Sequence, residues 1–573
     1  MTKASIPTSL RCGAFARYFR PFLMLLLLLS GSSSMAGTFG MHYWPQEYSC
    51  DALTETHWPR LKPIVEKDLD HLASLGVGAI RLMFWPGAEC GYSLNPTAGT
   101  GGTVSVSEAY KNNLRELIAL MGSRGFDIYI GLDNTYLKEC PRTPGVEGCT
   151  GPYYWDSAYS GNFEAFAEDS SNWVSALADA AELSPFAHKV RFYDFIDEAS
   201  GSLRGGIVWQ YIAYLYDHST VPAGKRGVSL LHIPVDAAAL KAQVIDTRVP
   251  QRHFDFVTFN TIGGANVNNG LSNPCPEDIG TSLQARFDEL LAALGKSASS
   301  LTRPQVLLGS FGLPTPYDAT TNNQVHKSTQ GHEDAQKECA IWTIQAAKKQ
   351  PQFFAYVYWM FTDFTPHRIA NHQTYGLIYA NPTPPAAGTP VTPDMHSPKA
   401  VLGAIAQEMA LGNVNFDMGN ASCTTPANWW STPDVTHTFS CGHTYWDTAT
   451  GDAYGRITVL APTEGTVWMA TQGGSVAGKT RLYVNFFFRS TLSSVRPEIH
   501  EYNSAGQLLL ITRGPAYTPT GWSWNNYLHR AESWSLNLQP GTDHVIFAVA
   551  ADIHTSHSVP AYLDVDTVSL SAR

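Results

Sequence analysis

The chain is 573 residues long, 44% hydrophobic and 15% charged, with a formal net charge of −11. That length exceeds one ordinary hydrophobic core and fits two domains. The acidic balance makes polyanions poor partners, so neither nucleic acid nor an anionic membrane surface is expected.

Residues 1–36 read as a secretory signal peptide. A basic region (Lys3, Arg11, Arg17, Arg20) precedes the apolar run Phe22 to Leu29, and small residues end at Ser34-Met35-Ala36. The run is shorter than the roughly 20 residues needed to span a bilayer, so cleavage near Ala36 is expected, giving a secreted protein, periplasmic or extracellular, with no membrane association. Of nine cysteines, Cys12 leaves with the leader. The even remainder in an oxidising compartment reads as disulfides. Short spacing suggests Cys140 with Cys149 and Cys423 with Cys441; Cys50 and Cys90 each follow an early strand, and Cys275 with Cys339 is left by elimination. No CxxC pair or HExxH helix suggests a metal, and no cofactor is expected.

From residue 37 to about 415, short apolar runs alternate with segments of helical period, the pattern of repeated βα units. Strands are expected at Gly40 to Tyr43, Ala79 to Phe84, Asp127 to Leu132, Arg191 to Ile196, Gly227 to Ile233, Phe254 to Asn260, Gln305 to Gly309 and Ala355 to Phe361. Helical patterns lie at Arg60 to Leu75, Glu108 to Gly122, Phe163 to Glu182, Ser282 to Leu294 and Glu333 to Lys349, with a closing helix around Ser397 to Ala410. The fold class is therefore α/β, a (β/α)8 TIM barrel. A linker is expected at Leu411 to Gly419. Residues 420–573 then change to aromatic, Thr-rich segments of period 2, as in Gly455 to Leu460, Arg481 to Phe487 and His544 to Ala550, which suggests an all-β sandwich of jelly-roll type.

In such a barrel the working residues gather at the C-terminal ends of the strands. The fourth strand delivers two adjacent acids, Asp197 and Glu198. A carboxyl group beside apolar walls has its pKa raised and can donate a proton near neutral pH. Acids at this turn can equally cap the following helix, and position alone does not choose between the two roles.

Several segments, in order, resemble clan A glycoside hydrolases, family 5 and its relatives above all. Gly40-Met41-His42-Tyr43-Trp44-Pro45 is similar to their first strand, and Asp68 to Leu82 to their first helix and second strand. Phe254 to Phe259 resembles the sixth strand, Val306 to Gly312 the seventh, Tyr358 to Asp363 the eighth, and Tyr375 to Ile378 with Ser397 to Ala400 the closing segment. The resemblance implies that Glu198 is the general acid/base, preceded by Asp197 where the family usually has Asn. It places Arg81 under the catalytic carboxylates and Trp359 as the sugar platform, an aromatic face suiting the apolar face of a pyranose. Trp44 and Asn260 join the expected sugar-binding set.

One departure matters most. Where the seventh strand of the family presents a nucleophilic Glu, this chain has Ser310, and Asn260-Thr261-Ile262 replaces the usual His and Tyr of the sixth strand. Retaining glycosidases need two carboxyl groups about 5 Å apart. Three explanations stand open: the barrel binds glycan without cutting it; another acid supplies the second function; or the register of the seventh strand is different. For the second, Asp363 and Asp133 are the candidates, since an inverting mechanism tolerates roughly 6.5 to 9.5 Å. The sequence thus leaves two functions, a polysaccharide hydrolase using Glu198 and a catalytically impaired pseudo-glycosidase that binds polysaccharide. Tyr153-Tyr154-Trp155 and Gly201 to Gly206 are expected to line the cleft, and Trp522 with Trp524 is the suggestive pair of the second domain.

Overall fold

The computed structural model describes residues 37–45, 50–84, 92–97, 100–132, 159, 161–199, 207–262, 279–313, 317–318, 323–324, 330–362, 375–379, 397–398, 400–409, 429–431, 437–443, 453–461, 464–517 and 530–573. Its first part is a closed barrel of eight parallel strands: β1 (Thr38–His42), β2 (Ala79–Phe84), β3 (Asp127–Leu132), β4 (Val190–Asp194), β5 (Arg226–Leu230), β6 (Phe256–Ile262), β7 (Gln305–Gly312) and β8 (Phe353–Tyr358). Each strand pairs with the next in sequence, and β8 closes on β1. Helices α1 (Trp58–Ser74), α2 (Glu108–Ser123), α3 (Phe163–Glu182), α4 (Ile207–His218), α5 (Val235–Leu240), α6 (Ile279–Ala293), α7 (Gln330–Lys348) and α8 (Ala400–Met409) alternate with them. This is the (β/α)8 architecture expected from the alternation. An antiparallel hairpin, Tyr92–Thr97 with Thr100–Val106, is inserted between β2 and α2.

The helices start and pack as their sequences dictate. In α1 the residues Leu61, Ile64, Val65, Leu69 and Leu72 recur at three- and four-residue spacing and are buried. Ser107 caps α2, its hydroxyl accepting from the Tyr110 N–H at 3.1 Å, and Asn162 caps α3 through the Ala165 N–H at 3.2 Å. Inside the barrel, Tyr129, Phe192 and Phe256 form a stack with 4.9 Å between successive ring centroids, joined by Ala79, Leu307, Ala355 and Val357. Two residues further along their strands stand Arg81, Asp194, Thr258 and Gly309. Because side chains alternate along a strand, this next layer faces the same axis and is polar.

The second part consists of β9 (Trp429–Ser431), β10 (His437–His443), β11 (Ala453–Val459), β12 (Gly465–Ser475), β13 (Arg481–Ser490), β14 (Ser493–Tyr502), β15 (Leu508–Arg513), β16 (Arg530–Asn537), β17 (His544–Ile553) and β18 (Ala561–Ala572). They form two antiparallel five-stranded sheets, ordered β9-β12-β17-β14-β15 and β10-β11-β18-β13-β16. One core joins them, with Val467, Ile499 and Phe547 of the first sheet packed with Ile457, Phe486 and Leu563 of the second. The junction expected at 411–419 lies outside the described residues, as do Trp522 and Trp524.

The sheets dock on the base of the barrel. The hydroxyls of Ser74, at the end of α1, and Ser569 are 2.6 Å apart. The last residue, Arg573, donates to the carbonyls of Val77 and Arg124 and lies over the Phe126 ring at 4.5 Å. Burial lowers its pKa to about 10. Val77 and Phe126 lead into β2 and β3, so this contact is at the N-terminal end of the strands.

Cys339, on α7, is disulfide-bonded. Its expected partner Cys275 lies outside the described residues, as do Cys90, Cys140, Cys149 and Cys423. Among the described residues no helix is long and apolar enough to cross a membrane, and no group of three His, Cys, Asp or Glu is placed to hold a metal ion.

Candidate active site

At the C-terminal end of β4 the chain runs through buried Phe195 and Ile196 into Asp197 and Glu198. Glu198 has φ 51°, in the left-handed region, which costs a non-glycine residue about 1–2 kcal/mol. Such a conformation persists only where its surroundings hold it. One restraint is visible: the Asn260 amide at the end of β6 donates to Glu198 Oε1 at 2.8 Å. Buried Tyr375 stands near enough that the Glu198 charge adds to burial in pushing its phenol pKa up.

Arg81 is the hub beneath. Only 1% exposed, it donates through Nη2 to Asp194 Oδ2 at 2.8 Å and Asp197 Oδ1 at 3.1 Å. Its Nη1 donates to the Gly309 carbonyl at 3.0 Å and reaches Ser310 Oγ at 3.4 Å. Burial pushes the Asp194 carboxyl up to about 7 against the opposing pull of Arg81, with Asp197 adding to the rise. The guanidinium therefore holds two carboxylates on one side and the seventh strand on the other.

A break in register turns Ser310 toward this hub. Along β6 and β7, Phe259 pairs with Leu308 but Asn260 pairs with Ser310, so Gly309 is an extra residue. Such a bulge re-aims the side chain that follows it. Strict alternation from inward-facing Leu307 would point Ser310 outward; instead it is buried, with its hydroxyl 2.9 Å from His42 Nε2. A Cβ at the bulge would lie 2.9 Å from Asn260 Oδ1 and 3.1 Å from Arg81 Nη1, so a larger residue there would displace these two side chains.

The Ser310–His42 contact has the spacing of a nucleophile and its base, but its protons are arranged otherwise. His42 Nε2 also lies 3.1 Å from the Gly309 carbonyl, which can only accept. The ring is therefore protonated at Nε2, and Ser310 Oγ accepts from it. Burial and the nearby Arg81 charge hold the His42 pKa well below its usual value, so the ring is neutral. Its Nδ1 is buried with no hydrogen-bond partner among the described residues, and no third group there orients the ring as a triad requires. Ser310 thus accepts two hydrogen bonds and keeps its own proton to give.

Of the residues the sequence nominates, Arg81, Asp197, Glu198, Asn260 and Ser310 are brought together. Trp359, half-buried directly after β8, meets His42 edge to face at 4.5 Å, and its backbone N–H donates to the Phe311 carbonyl at 2.8 Å. Trp44 is packed into the wall, donating to the Met83 carbonyl at 2.9 Å and meeting Phe84 edge-on. Asp133, Asp363 and the cleft segments 153–155 and 201–206 lie outside the described residues. His42, Asp194 and Tyr375 were missed as site residues. Asp194 sits inside the strand expected to run to Ile196 and Tyr375 is distant in sequence, so neither is singled out by the local pattern.

No family model matches the chain, and no curated protein matches it. Among solved structures it is similar to the exo-β-1,4-mannosidase Op5Man5 from Opitutaceae bacterium strain TAV5, at 16% identity and a TM-score of 0.40 over 65% of this chain and 61% of that one. It is similar to GH5_18 from Streptomyces cattleya in complex with GlcNAc, at 16% identity and a TM-score of 0.40 over 65% and 80% of the two chains. A family 1 β-glucosidase from Thermotoga maritima gives 13% identity and a TM-score of 0.37 over 60% and 92%. The chain spans less than two thirds of the length of the first of these.

Proposed function

We propose that this chain is a secreted, carbohydrate-active protein of glycoside hydrolase type that cleaves O-glycosidic bonds of a polysaccharide, with Glu198 as general acid/base. The observation that carries the reading is Glu198 itself: a carboxyl group in a left-handed conformation at the C-terminal mouth of a (β/α)8 barrel, held by Asn260 above a buried Arg81. Strained backbone at such a place is a recurrent mark of a working residue. In this reading Trp359 supplies the platform for the sugar ring.

The jelly-roll-like second domain, residues 420–573, braces the barrel: its docking at the base, away from Glu198, supports that role over a share in the cleft. A second reading, a pseudo-glycosidase that holds polysaccharide without cutting it, is favoured by Ser310 at the place of a nucleophile. Reducing-sugar release from a polysaccharide panel, measured for the protein and for Glu198→Gln with binding recorded in parallel, separates the two. Release that falls by about 100-fold or more in the variant supports hydrolysis. Binding by both proteins with no release by either establishes the second reading.

A further inference from the structure

Resting on Glu198 as general acid/base, we propose that the substrate is a 2-acetamido-2-deoxy glycoside whose own acetamido group supplies the nucleophile, with Asp197 holding the acetamido N–H. The argument starts from Arg81. Its two terminal nitrogens bind Asp197 Oδ1 at 3.1 Å and Ser310 Oγ at 3.4 Å, so the Asp197 carboxylate flanks the position a strand-seven nucleophile would take. Ser310 stops one atom beyond Cβ and cannot span the gap a carboxylate would bridge. Nor does His42 activate it, since Nε2–H is a donor to Ser310 and, among the described residues, no base is placed on the hydroxyl. Among the described residues the seventh-strand position is held by Ser310, and a part of the substrate that reaches the anomeric carbon from that side takes the nucleophile's place. An acetamido group on the neighbouring ring carbon can do so, and it carries an N–H that needs an acceptor beside it.

Asp197 fits that acceptor. It directly precedes Glu198, and both follow the fourth strand at the mouth of the barrel. A carboxylate is an acceptor-only group with two oxygens, and Arg81 orients it. A charged acceptor is also what the reaction demands. The acetamido oxygen bonds to the anomeric carbon as the bond from that carbon to the leaving oxygen breaks, and Glu198 gives its proton to the leaving oxygen. Positive charge then falls on the acetamido C–N unit, and the Asp197 carboxylate stabilises it through the N–H. Water next bonds to the anomeric carbon and gives a proton to Glu198, and the five-membered ring opens to restore the acetamide. One water is consumed per bond cleaved. Glycosidases of this substrate-assisted kind dispense with the enzyme's nucleophile.

The test uses the full chain on β-linked oligosaccharides of N-acetylglucosamine and N-acetylgalactosamine, each beside its de-N-acetylated and its 2-hydroxy counterpart, and on the N-trifluoroacetyl form. Release confined to the acetamido substrates, with kcat falling about 10-fold or more for the less nucleophilic trifluoroacetamide, is expected. Asp197→Asn should lower kcat by about 100-fold with a smaller change in KM and an unfolding midpoint within a few degrees of the parent. Comparable, Glu198-dependent release from 2-hydroxy substrates overturns this inference while leaving the proposed function standing, and returns the second role to Asp363. Equal rates on the acetamide and trifluoroacetamide overturn it without any variant. Absence of release from every substrate overturns both.

Discussion

Replacing Arg81 with methionine keeps most of the side-chain length and removes the charge from a site where one carboxylate is 0% exposed. The guanidinium makes two hydrogen bonds to carboxylates, Asp194 at 2.8 Å and Asp197 at 3.1 Å, and one to the Gly309 carbonyl at 3.0 Å. Removing one partner of a buried ion pair costs about 3–5 kcal/mol, chiefly because the other charge stays buried and uncompensated. Asp194 can escape that penalty by taking up a proton. Burial already lifts its pKa to about 7, and Arg81 is the group that opposes the rise. In Arg81→Met the pKa therefore moves higher still, and the folded state binds a proton that the unfolded state, with an ordinary Asp, releases. Stability of the variant is then retained at low pH and lost as pH rises through the neutral range. Urea unfolding should show the full loss at pH 8 and a loss smaller by about 1–3 kcal/mol at pH 5, and the double variant Arg81→Met/Asp194→Asn should recover part of the difference. Equal losses at both pH values would show that packing, not charge, makes Arg81 important, and the hub described above would be refuted.

Two further outcomes follow from groups away from the mouth. Asp68 accepts from the Tyr43 hydroxyl at 2.9 Å, and burial pushes its carboxyl up to about 7. The folded chain then holds more protons than the unfolded one between about pH 4 and 7, so stability falls as pH rises through that window, by at most about 1.4 kcal/mol per pH unit for this group. Asp68→Asn should flatten the dependence of the unfolding midpoint on pH, and an unchanged slope would remove Asp68 from the account. Arg573→Ala strips the carbonyls of Val77 and Arg124 of a cationic donor and uncovers Phe126. A loss of about 1–3 kcal/mol is expected, with faster proteolysis between the two parts and, if hydrolysis is found, unchanged release, because the contact is at the base of the barrel.

The alternation of apolar runs with helical period determined the barrel, because a parallel strand buried on both faces and an amphipathic helix leave different periodicities in the chain. The resemblance to clan A glycoside hydrolases also nominated Arg81, Asp197, Glu198, Asn260 and Ser310, which the barrel gathers because each is carried on a parallel strand or closely follows one. Period-2 patterning likewise announced the antiparallel sheets. Strand ends were read less well: β4 stops at Asp194, short of Ile196, and β7 continues to Gly312, since pairing with a neighbour rather than local apolarity sets where a strand stops.

What only the tertiary structure decided are relations between residues far apart in sequence. The extra residue at Gly309 depends on the register of β6 against β7, so no local pattern reveals that Ser310 turns inward. The direction of the proton between His42 and Ser310 is fixed by a backbone carbonyl on a strand 267 residues away. Asp194 became part of the site only once Arg81 was brought beside it, 113 residues apart along the chain. The end of the barrel to which the sheets attach rests on Arg573 finding carbonyls at Val77 and Arg124. Composition and periodicity act over one or two turns of chain, whereas hydrogen-bond direction, burial and charge pairing act through space, and it is these that give the residues at the barrel mouth their chemistry.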